Sequence, residues 1–308
     1  MIVCVGTTPV WQRSMVFGQL KPDGVNRATD VRDYASGKSV NVARVLHTLG
    51  EETVATGFAG GDRGAALLRD LDAAGVRHEF VTVEAPTRQC VTVIDRAAGT
   101  ATELVEESKP VAEGNWAQLE EVVARLLRRA GGLVLSGSLP PGAPQDFYLR
   151  CLRFARRPGT PAVLDARGEP LRRALGHGGF VAKMNLDELS ATVGRPVSND
   201  ADLGEAMREL MPAGGAVVVT LGKGGAAAAE AGGAWRVRVP PVPARSAVGS
   251  GDAFSAGLIA GLAHRRPLAD ACVSGAACGA ANAMTDLAGH LSPSDVRAIE
   301  AGVRIEPL

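Results

Sequence analysis

Late in the 308-residue chain, Ser246-Ala-Val-Gly249-Ser250-Gly251-Asp252-Ala253-Phe254 leads into a helical run that ends near His264. Two glycines let the backbone turn sharply and bring amides close to an anion, and a helix start adds free N–H groups and a positive dipole end. Asp252 there has two candidate jobs: capping the helix, or acting as a general base beside a phosphate cradle. Two widespread phosphate loops do not fit. Phe254 stands where G-x-G-x-x-G needs its last glycine, and Arg32 where a P-loop ending in Gly37-Lys38-Ser39 needs its first. A Rossmann dehydrogenase and a P-loop NTPase both lose ground.

Four further clusters carry residue types suited to phosphate chemistry. Ala35-Ser36-Gly37-Lys38-Ser39-Val40-Asn41 runs a glycine–lysine turn straight into a helix with Asn41 in its first turn. Lysine and a helix start suit an anionic substrate; an ordinary capped loop with a solvated lysine is the alternative. Ser136-Gly-Ser138-Leu-Pro-Pro-Gly142 follows an apolar run and reads as a substrate loop or a rigid Pro–Gly turn. In Lys183-Met-Asn185-Leu-Asp-Glu188, Asn185 and Glu188 share one helix face and could hold a hydrated Mg²⁺, or could form a capping box. Thr220-Leu-Gly222-Lys-Gly-Gly225 is small enough to let a nucleotide lie against the backbone, or is a plain glycine turn.

The elements that must position these clusters alternate in type. Short apolar runs at Leu133–Ser136, Ala162–Asp165, Phe180–Met184 and Ala216–Leu221 are separated by helical stretches at Gln145–Arg157, Leu186–Val193 and Asp202–Met211, with another at Glu113–Ala130. Such βαβ alternation predicts a parallel sheet covered on both faces, with ligands at the carboxyl ends of its strands. Ser14–Tyr34 and Thr87–Thr102 have period-2 character and no helical partner, so they are expected to form a small separate sheet able to act as a lid.

Composition narrows the field. Lysine plus arginine equals aspartate plus glutamate, 33 against 33, so no global charge draws the chain to nucleic acid or an anionic membrane. Apolar residues at 46% and charged residues at 21% fit a folded protein. No apolar run approaches the ~20 residues of a membrane span, and Met1-Ile-Val-Cys-Val-Gly lacks the basic start of a secretory signal. The five scattered cysteines, without C-x-x-C, suggest neither a disulfide framework nor a zinc site. A cytoplasmic protein is expected, with one large domain over 1–308 and lid segments at about 11–35 and 87–105.

Taken in order, these clusters resemble the PfkB (ribokinase-like) carbohydrate kinases, and within them the 1-phosphofructokinase and tagatose-6-phosphate kinase branch. The matching features are Thr8-Pro9, Val25-Asn26-Arg27, Gly37-Lys38-Ser39-Val40-Asn41, Thr87-Arg88, Ser136-Gly-Ser138-Leu-Pro-Pro-Gly142, Leu164-Asp165, Lys183-Met-Asn185-Leu-Asp-Glu188, Thr220-Leu-Gly222 and Val248-Gly-Ser-Gly-Asp252, which cover almost the whole chain. The resemblance implies a three-layer α/β/α sandwich with a small β-sheet lid that makes a homodimer contact. It implies ATP and Mg²⁺ as cofactors and a small sugar or sugar phosphate as the partner. Asp252 would deprotonate the acceptor hydroxyl, and the amides of Gly249, Ser250 and Gly251 would stabilise charge on the transferring phosphoryl group. Glu188, with Asp165 behind it, resembles the set that holds Mg²⁺ through water. Lys183, Asn185, Thr220, Gly222 and Gly225 would lie along ATP, with Asn282 near the adenine. Arg27, Lys38 and Arg88 resemble a cationic clamp on a phosphate already present on the sugar, beside Gly37, Asn41 and Ser138.

The departures crowd the sugar side. The branch usually reads Asn-Pro-Ala-Ile-Asp where this chain has Thr8-Pro9-Val10-Trp11-Gln12, so a neutral Gln12 replaces a hydroxyl-accepting aspartate. Ser36, Ser39, Met184 and Cys90 also replace usual glycine, glycine, proline and asparagine residues. The expected activity is transfer of the ATP γ-phosphoryl group to a phosphorylated ketose such as fructose 1-phosphate or tagatose 6-phosphate. A kinase for an unphosphorylated sugar, polyol or nucleoside is the alternative, and a non-catalytic sensor using the same cleft is the third reading.

Overall fold

Alternate residues along each central strand point to opposite faces, and here both sets are apolar. Val3, Val5, Leu133, Leu135 and Leu164 join one core, while Ile2, Cys4, Val134 and Val163 join the other. Strands of that kind must be covered on both sides. The computed structural model describes residues 1–155 and 159–308. The chain runs β1 (Ile2–Gly6), β2 (Val10–Phe17), β3 (Asp30–Ser36), α1 (Lys38–Thr48), β4 (Thr53–Ala59), α2 (Gly61–Ala73), β5 (His78–Thr82), β6 (Arg88–Asp95), β7 (Thr100–Val105), α3 (Glu113–Leu127), β8 (Gly132–Ser136) and α4 (Phe147–Phe154). It continues with β9 (Ala162–Asp165), α5 (Gly168–Leu175), β10 (Val181–Asn185), α6 (Leu186–Val193), α7 (Asp200–Glu209), β11 (Ala216–Thr220), β12 (Ala226–Glu230), β13 (Gly233–Arg238), α8 (Ser250–Ala263), α9 (Leu268–Ala283), α10 (Pro293–Glu300) and β14 (Arg304–Pro307).

Among the described residues, a 10-stranded sheet has the order β14-β13-β12-β11-β10-β9-β8-β1-β4-β5. From β5 to β11 every pairing is parallel, and β12 to β14 add an antiparallel edge. Helices α3 to α7 supply one core, and α1, α2, α8, α9 and α10 the other. The chain leaves β1 toward β4 on one side and returns at β8 on the other, so the β1–β8 boundary is a topological switch point. Crevices outside the carboxyl ends of strands at such points are where α/β sheets bind ligands.

The layered α/β architecture agrees with the sequence expectation, with shifts at the ends. The run expected at Asp202–Met211 starts earlier because Asn199 caps α7, accepting from the Asp202 amide at 2.9 Å. Gln145–Arg157 shortens to Phe147–Phe154; the expected end at Arg156-Arg157 lies outside the described residues. The extended segment at Ser14–Tyr34 is two antiparallel strands, β2 and β3, joined by a connection at 18–29 in which Asn26 Oδ1 accepts from the Lys21 amide. With β6 and β7 they form the expected second sheet, in the order β3-β2-β6-β7.

The small residues of α8 and α9 also have a structural reason. A Cβ on Gly257 would lie 2.5 Å from the Ser274 carbonyl oxygen, and one on Gly261 would lie 2.8 Å from Ala271 Cα. The two helices therefore pack backbone to backbone. Any larger side chain at these contacts would push α8 away and carry its first turn, with Asp252, out of place.

Candidate active site

Five neighbouring strands of the parallel core, β1 and β8 to β11, carry candidate residues at or just after their carboxyl ends. The β1 end carries Thr7 and Thr8, whose hydroxyls donate to the Ser138 carbonyl oxygen at 3.1 and 3.3 Å. That closes the loop after β8 over the end of β1 and leaves the exposed Ser138 hydroxyl without a partner among the described residues. β9 ends on Asp165 and β10 on Lys183 and Asn185. β11 ends on Thr220, whose hydroxyl points back to the Met184 carbonyl oxygen at 3.5 Å.

α8 starts at the centre of this row. Its N-cap Gly249 has φ 81, and a Cβ there would stand 2.7 Å from Ala288 Cα, so only glycine fits on both counts. The Ser250 amide bonds to the Ala247 carbonyl oxygen at 3.1 Å. The amides of Gly249 and Gly251 take no acceptor among the described residues, leaving two donors of the turn for an anion rather than the expected three. Asp252 is buried, at 8% exposure, in the helix's first turn. Asn41 Nδ2 donates to its Oδ2 at 2.7 Å, and the Ser36 hydroxyl donates to Asn41 Oδ1 at 2.9 Å. Burial pushes the Asp252 carboxyl up to about 6; Lys38 and Asn41 oppose that rise and the negative Asp165 adds to it. A carboxyl so tuned changes charge near neutral pH, as a general base requires.

Beside Asp252 lies an ionic cluster. Lys38 Nζ donates to Asp165 Oδ1 at 2.6 Å and approaches Glu188 Oε1 at 3.5 Å. Lys183 Nζ, 3% exposed, donates to Asp165 Oδ2 at 2.7 Å and to the Gly251 carbonyl oxygen at 3.0 Å. Ser255, one turn after Asp252, adds a bond to Asp165 Oδ2 at 3.3 Å. Burial alone would raise the Asp165 carboxyl, but Lys183 and Lys38 outweigh it and hold the group well below the usual carboxylate range. Burial likewise disfavours the Lys38 ammonium, yet Asp165, Glu188 and Asp252 raise its pKa on balance. Asp165 is thus bonded by both lysines, and Lys38 also faces Glu188.

Several sequence expectations are redistributed by this geometry. Lys38 does not stand in a clamp with Arg27 and Arg88: its ammonium lies among Asp165 and Glu188, because the turn at Gly37 (φ 106) aims the start of α1 at the ends of β9 and β10. Arg88 instead donates to the carbonyl oxygens of Thr8 and Glu106, both at 3.3 Å, and Arg27 is exposed in the β2–β3 connection. Asn282 is fully buried; its amide donates to the Val248 carbonyl oxygen at 2.9 Å and accepts from the Gly289 amide at 2.8 Å. It ties the Gly249 turn to the loop after α9 and presents no free edge to a base. Lys183 is similarly enclosed, beneath the turn. Asn185 and Glu188 form a complete capping box: the Asn185 side chain accepts from the Glu188 amide at 2.7 Å, and Glu188 Oε2 accepts from the Asn185 amide at 2.9 Å.

These bonds bear on where Mg²⁺ could sit. No group of three or more His, Cys, Asp or Glu side chains forms a metal cluster among the described residues. Asp165 has both oxygens engaged by lysines, so it anchors the cluster and is not an open ligand. Glu188 keeps one oxygen toward Lys38 and the cleft. That donor set fits an ion held mainly by water and substrate phosphates, the habit of Mg²⁺, and not a protein cage.

Gln12 lies on β2 and is 4% exposed; its Nε2 donates to Thr92 on β6 at 2.9 Å. The second sheet thus turns Gln12, Thr92, Ser14 and Tyr34 inward. Gly222 and Gly225 shape the turn after β11, and a Cβ on Gly225 would strike the Val237 carbonyl oxygen at 2.0 Å. The sequence marks Ser36 only as a replacement for a usual glycine, and marks neither Ser255 nor Tyr34. Ser255 was accessible, since three residues after Asp252 on a helix is the same face; Tyr34 was not, because its partner is 254 positions away.

The sheet, its two helical layers and this cluster at the switch point are those of a phosphotransferase with an alcohol group as acceptor. The chain belongs to the pfkB family carbohydrate kinases, whose family model matches residues 1–294. Among solved structures it is similar to phosphofructokinase-2 from Escherichia coli in complex with fructose-6-phosphate, at 31% identity over 98% of both chains with TM-score 0.87. It shares its fold with a possible 1-phosphofructokinase from Thermotoga maritima, at 22% identity over 100% of this chain and 99% of that one, TM-score 0.91. The fold extends to Arabidopsis thaliana ribokinase complexed with ribose and ATP, at 18% identity over 97% of this chain and 98% of that one, TM-score 0.73. No helix among the described residues is long and apolar enough to cross a membrane.

Proposed function

We propose that this carbohydrate kinase transfers the γ-phosphoryl group of ATP to a hydroxyl of a phosphorylated ketose, such as fructose 1-phosphate or tagatose 6-phosphate. The observation that carries the reading is Asp252, buried, tuned to about 6 and oriented by Asn41 beside two unengaged amides. Asp252 takes the acceptor's hydroxyl proton as the oxygen attacks the γ-phosphorus and the bond to ADP breaks. The amides of Gly249 and Gly251 donate to oxygens of the phosphoryl group in transit, at fixed positions that need no reorganisation. Lys38, anchored by Asp165, holds positive charge next to the same group. Mg²⁺, when bound with ATP, neutralises phosphate charge; Glu188, with Asp165 behind it, would hold that ion through water. Thr220, Gly222 and Gly225 would border the nucleotide, and Gly37, Asn41 and Ser138 the sugar.

The phosphorylated acceptor is supported by the E. coli neighbour, a phosphofructokinase-2 in complex with fructose-6-phosphate, and by Arg88, which stands at the start of β6 beside Thr8. A second reading, an unphosphorylated sugar, polyol or nucleoside as acceptor, is favoured by the dispersal of Arg27, Lys38 and Arg88. ADP release from Mg-ATP across a panel of sugars, sugar phosphates and nucleosides separates the two. Activity confined to a phosphorylated ketose and absent in Asp252→Asn supports the first reading, whereas turnover of an uncharged acceptor supports the second. ATP binding without turnover of any acceptor would return the sensor reading.

The second sheet would serve as the lid over the sugar and as the dimer contact. Its outward face carries Met15, Val91 and Val93 with the exposed Val31 and Leu104 at 45% and 56%. The E. coli phosphofructokinase-2 has a tetrameric inhibited form.

A further inference from the structure

The second sheet touches the Gly249 turn through an intermediary, the loop at 284–290 that follows α9. On the sheet side, Tyr34 of β3 accepts from the Ala288 amide at 3.1 Å through its buried hydroxyl, which also meets the Ser14 hydroxyl at 3.3 Å. Its ring meets His290 edge-on, with centroids 5.6 Å apart. Arg96, in the hairpin after β6, donates to Asp286 Oδ2 at 2.5 Å. Two residues of the small sheet therefore hold one short loop of the large domain.

On its other side the same loop braces the catalytic turn. Ala288 Cα stands where a Cβ of Gly249 would be, at 2.7 Å, and Asn41 Cα stands 2.9 Å from the Cβ position of Gly289. The Gly289 amide donates to Asn282 Oδ1, and Asn282 Nδ2 donates to the Val248 carbonyl oxygen and toward Ser250 Oγ at 3.4 Å. The contacts run without a gap from Tyr34 and Arg96, through Ala288 and Gly289, to Gly249 on one side and Asn41 on the other. Both of those residues set the environment of Asp252. Because the contacts on the turn side have no slack, a shift of the loop must move the turn.

We propose that Tyr34 and Arg96 are positioning residues: by fixing the loop at 284–290 they set the Gly249–Asp252 turn, so that the small sheet's placement controls the orientation of the phosphoryl-transfer groups. This rests on the kinase reading above for the role of that turn. Neither residue reaches the reacting atoms, so the effect belongs in kcat and not in substrate affinity.

The test compares Tyr34→Phe and Arg96→Ala with Arg13→Ala, which breaks an ion pair to Asp33 on the same sheet without touching the loop. Amide hydrogen exchange is followed in the segment at 247–252 under native conditions, alongside steady-state kinetics. Losing the buried Tyr34 hydrogen bond is expected to speed exchange there by about fivefold to tenfold in Tyr34→Phe, and losing the more exposed Arg96–Asp286 ion pair by about twofold to fivefold in Arg96→Ala, with kcat lowered and both KM values unchanged. Arg13→Ala should leave that exchange and kcat as they are, even if it lowers the melting temperature equally. Equal exchange of the segment in all three variants and the wild type would overturn the proposal. A wild type inactive on every acceptor would sink the kinase reading alone, because the exchange comparison still decides the coupling.

Discussion

Asn41 and Asp252, 211 positions apart in sequence, meet in a 2.7 Å hydrogen bond that joins the start of α1 to the start of α8. The bond favours the ionised carboxylate and so works against the burial that raises the Asp252 pKa to about 6. The acid limb of kcat/KM, which reports the free enzyme, should therefore fall near pH 6. Asn41→Ala removes the donor and should move that limb upward by about one unit. A limb that stays in place would mean another group controls the rate.

Asp252→Asn should lower kcat by about a thousandfold, the order of a lost general base, while ATP still binds. The same variant has a stability signature. The folded protein holds the Asp252 proton above the usual value of 3.8, so the native state binds more protons than the unfolded chain between about pH 4 and pH 6. Stability therefore falls as pH rises through that window. Asparagine does not titrate, so its stability relative to wild type should improve from pH 4 to pH 7 by about 2 kcal/mol. Denaturant melts at the two pH values check this.

Lys183 and Asp165 form a pair buried to 3% and 1% exposure. Lys183→Met leaves Asp165 with less countercharge in a dry site, and a cost of about 3–5 kcal/mol is expected. The Asp165 carboxyl is depressed in the folded state. Its contribution is therefore present above the usual carboxylate range and fades as pH falls toward the folded pKa. The gap between variant and wild type should accordingly narrow in acid. Lys38→Met, at the more open end of the cluster, should cost turnover more than stability, which parallel rate and melting measurements would resolve.

Gly249→Ala asks for a left-handed backbone at φ 81 and places a methyl 2.7 Å from Ala288 Cα. The backbone conformation alone costs about 1–2 kcal/mol, and the clash pushes the turn off its amide geometry. Turnover should drop well beyond what the change in melting temperature implies.

Gln12→Asp replaces the amide that donates to the Thr92 hydroxyl with a carboxylate on the inward face of the second sheet. Acceptor preference and acceptor KM should change while the KM for ATP stays constant. An unaltered acceptor profile would remove position 12 from the specificity determinants.

Much of this molecule was legible in the order of its residues. The apolar runs ending at Ser136, Asp165 and Leu221 mark parallel strands because only a strand covered on both faces is apolar at every position. Gly249-Ser-Gly-Asp252 marks a turn into a helix because glycine tolerates what other residues do not. The capping box at Asn185 and Glu188 was one of two readings of the i, i+3 spacing, and it formed as local chemistry allows. What spacing could not decide was the company each charge keeps. Lys38 lies with Asp165, 127 positions away, and not with Arg88; Asn282 faces the Val248 carbonyl oxygen. Tyr34 reaches Ala288 across 254 positions. Local sequence fixes backbone propensity within a few residues, whereas a long side chain selects its partner only after sheet order and helix packing bring distant segments together. Sequence by itself therefore determined the elements and the turn, and the tertiary structure decided which cations, carboxylates and amides share the cleft.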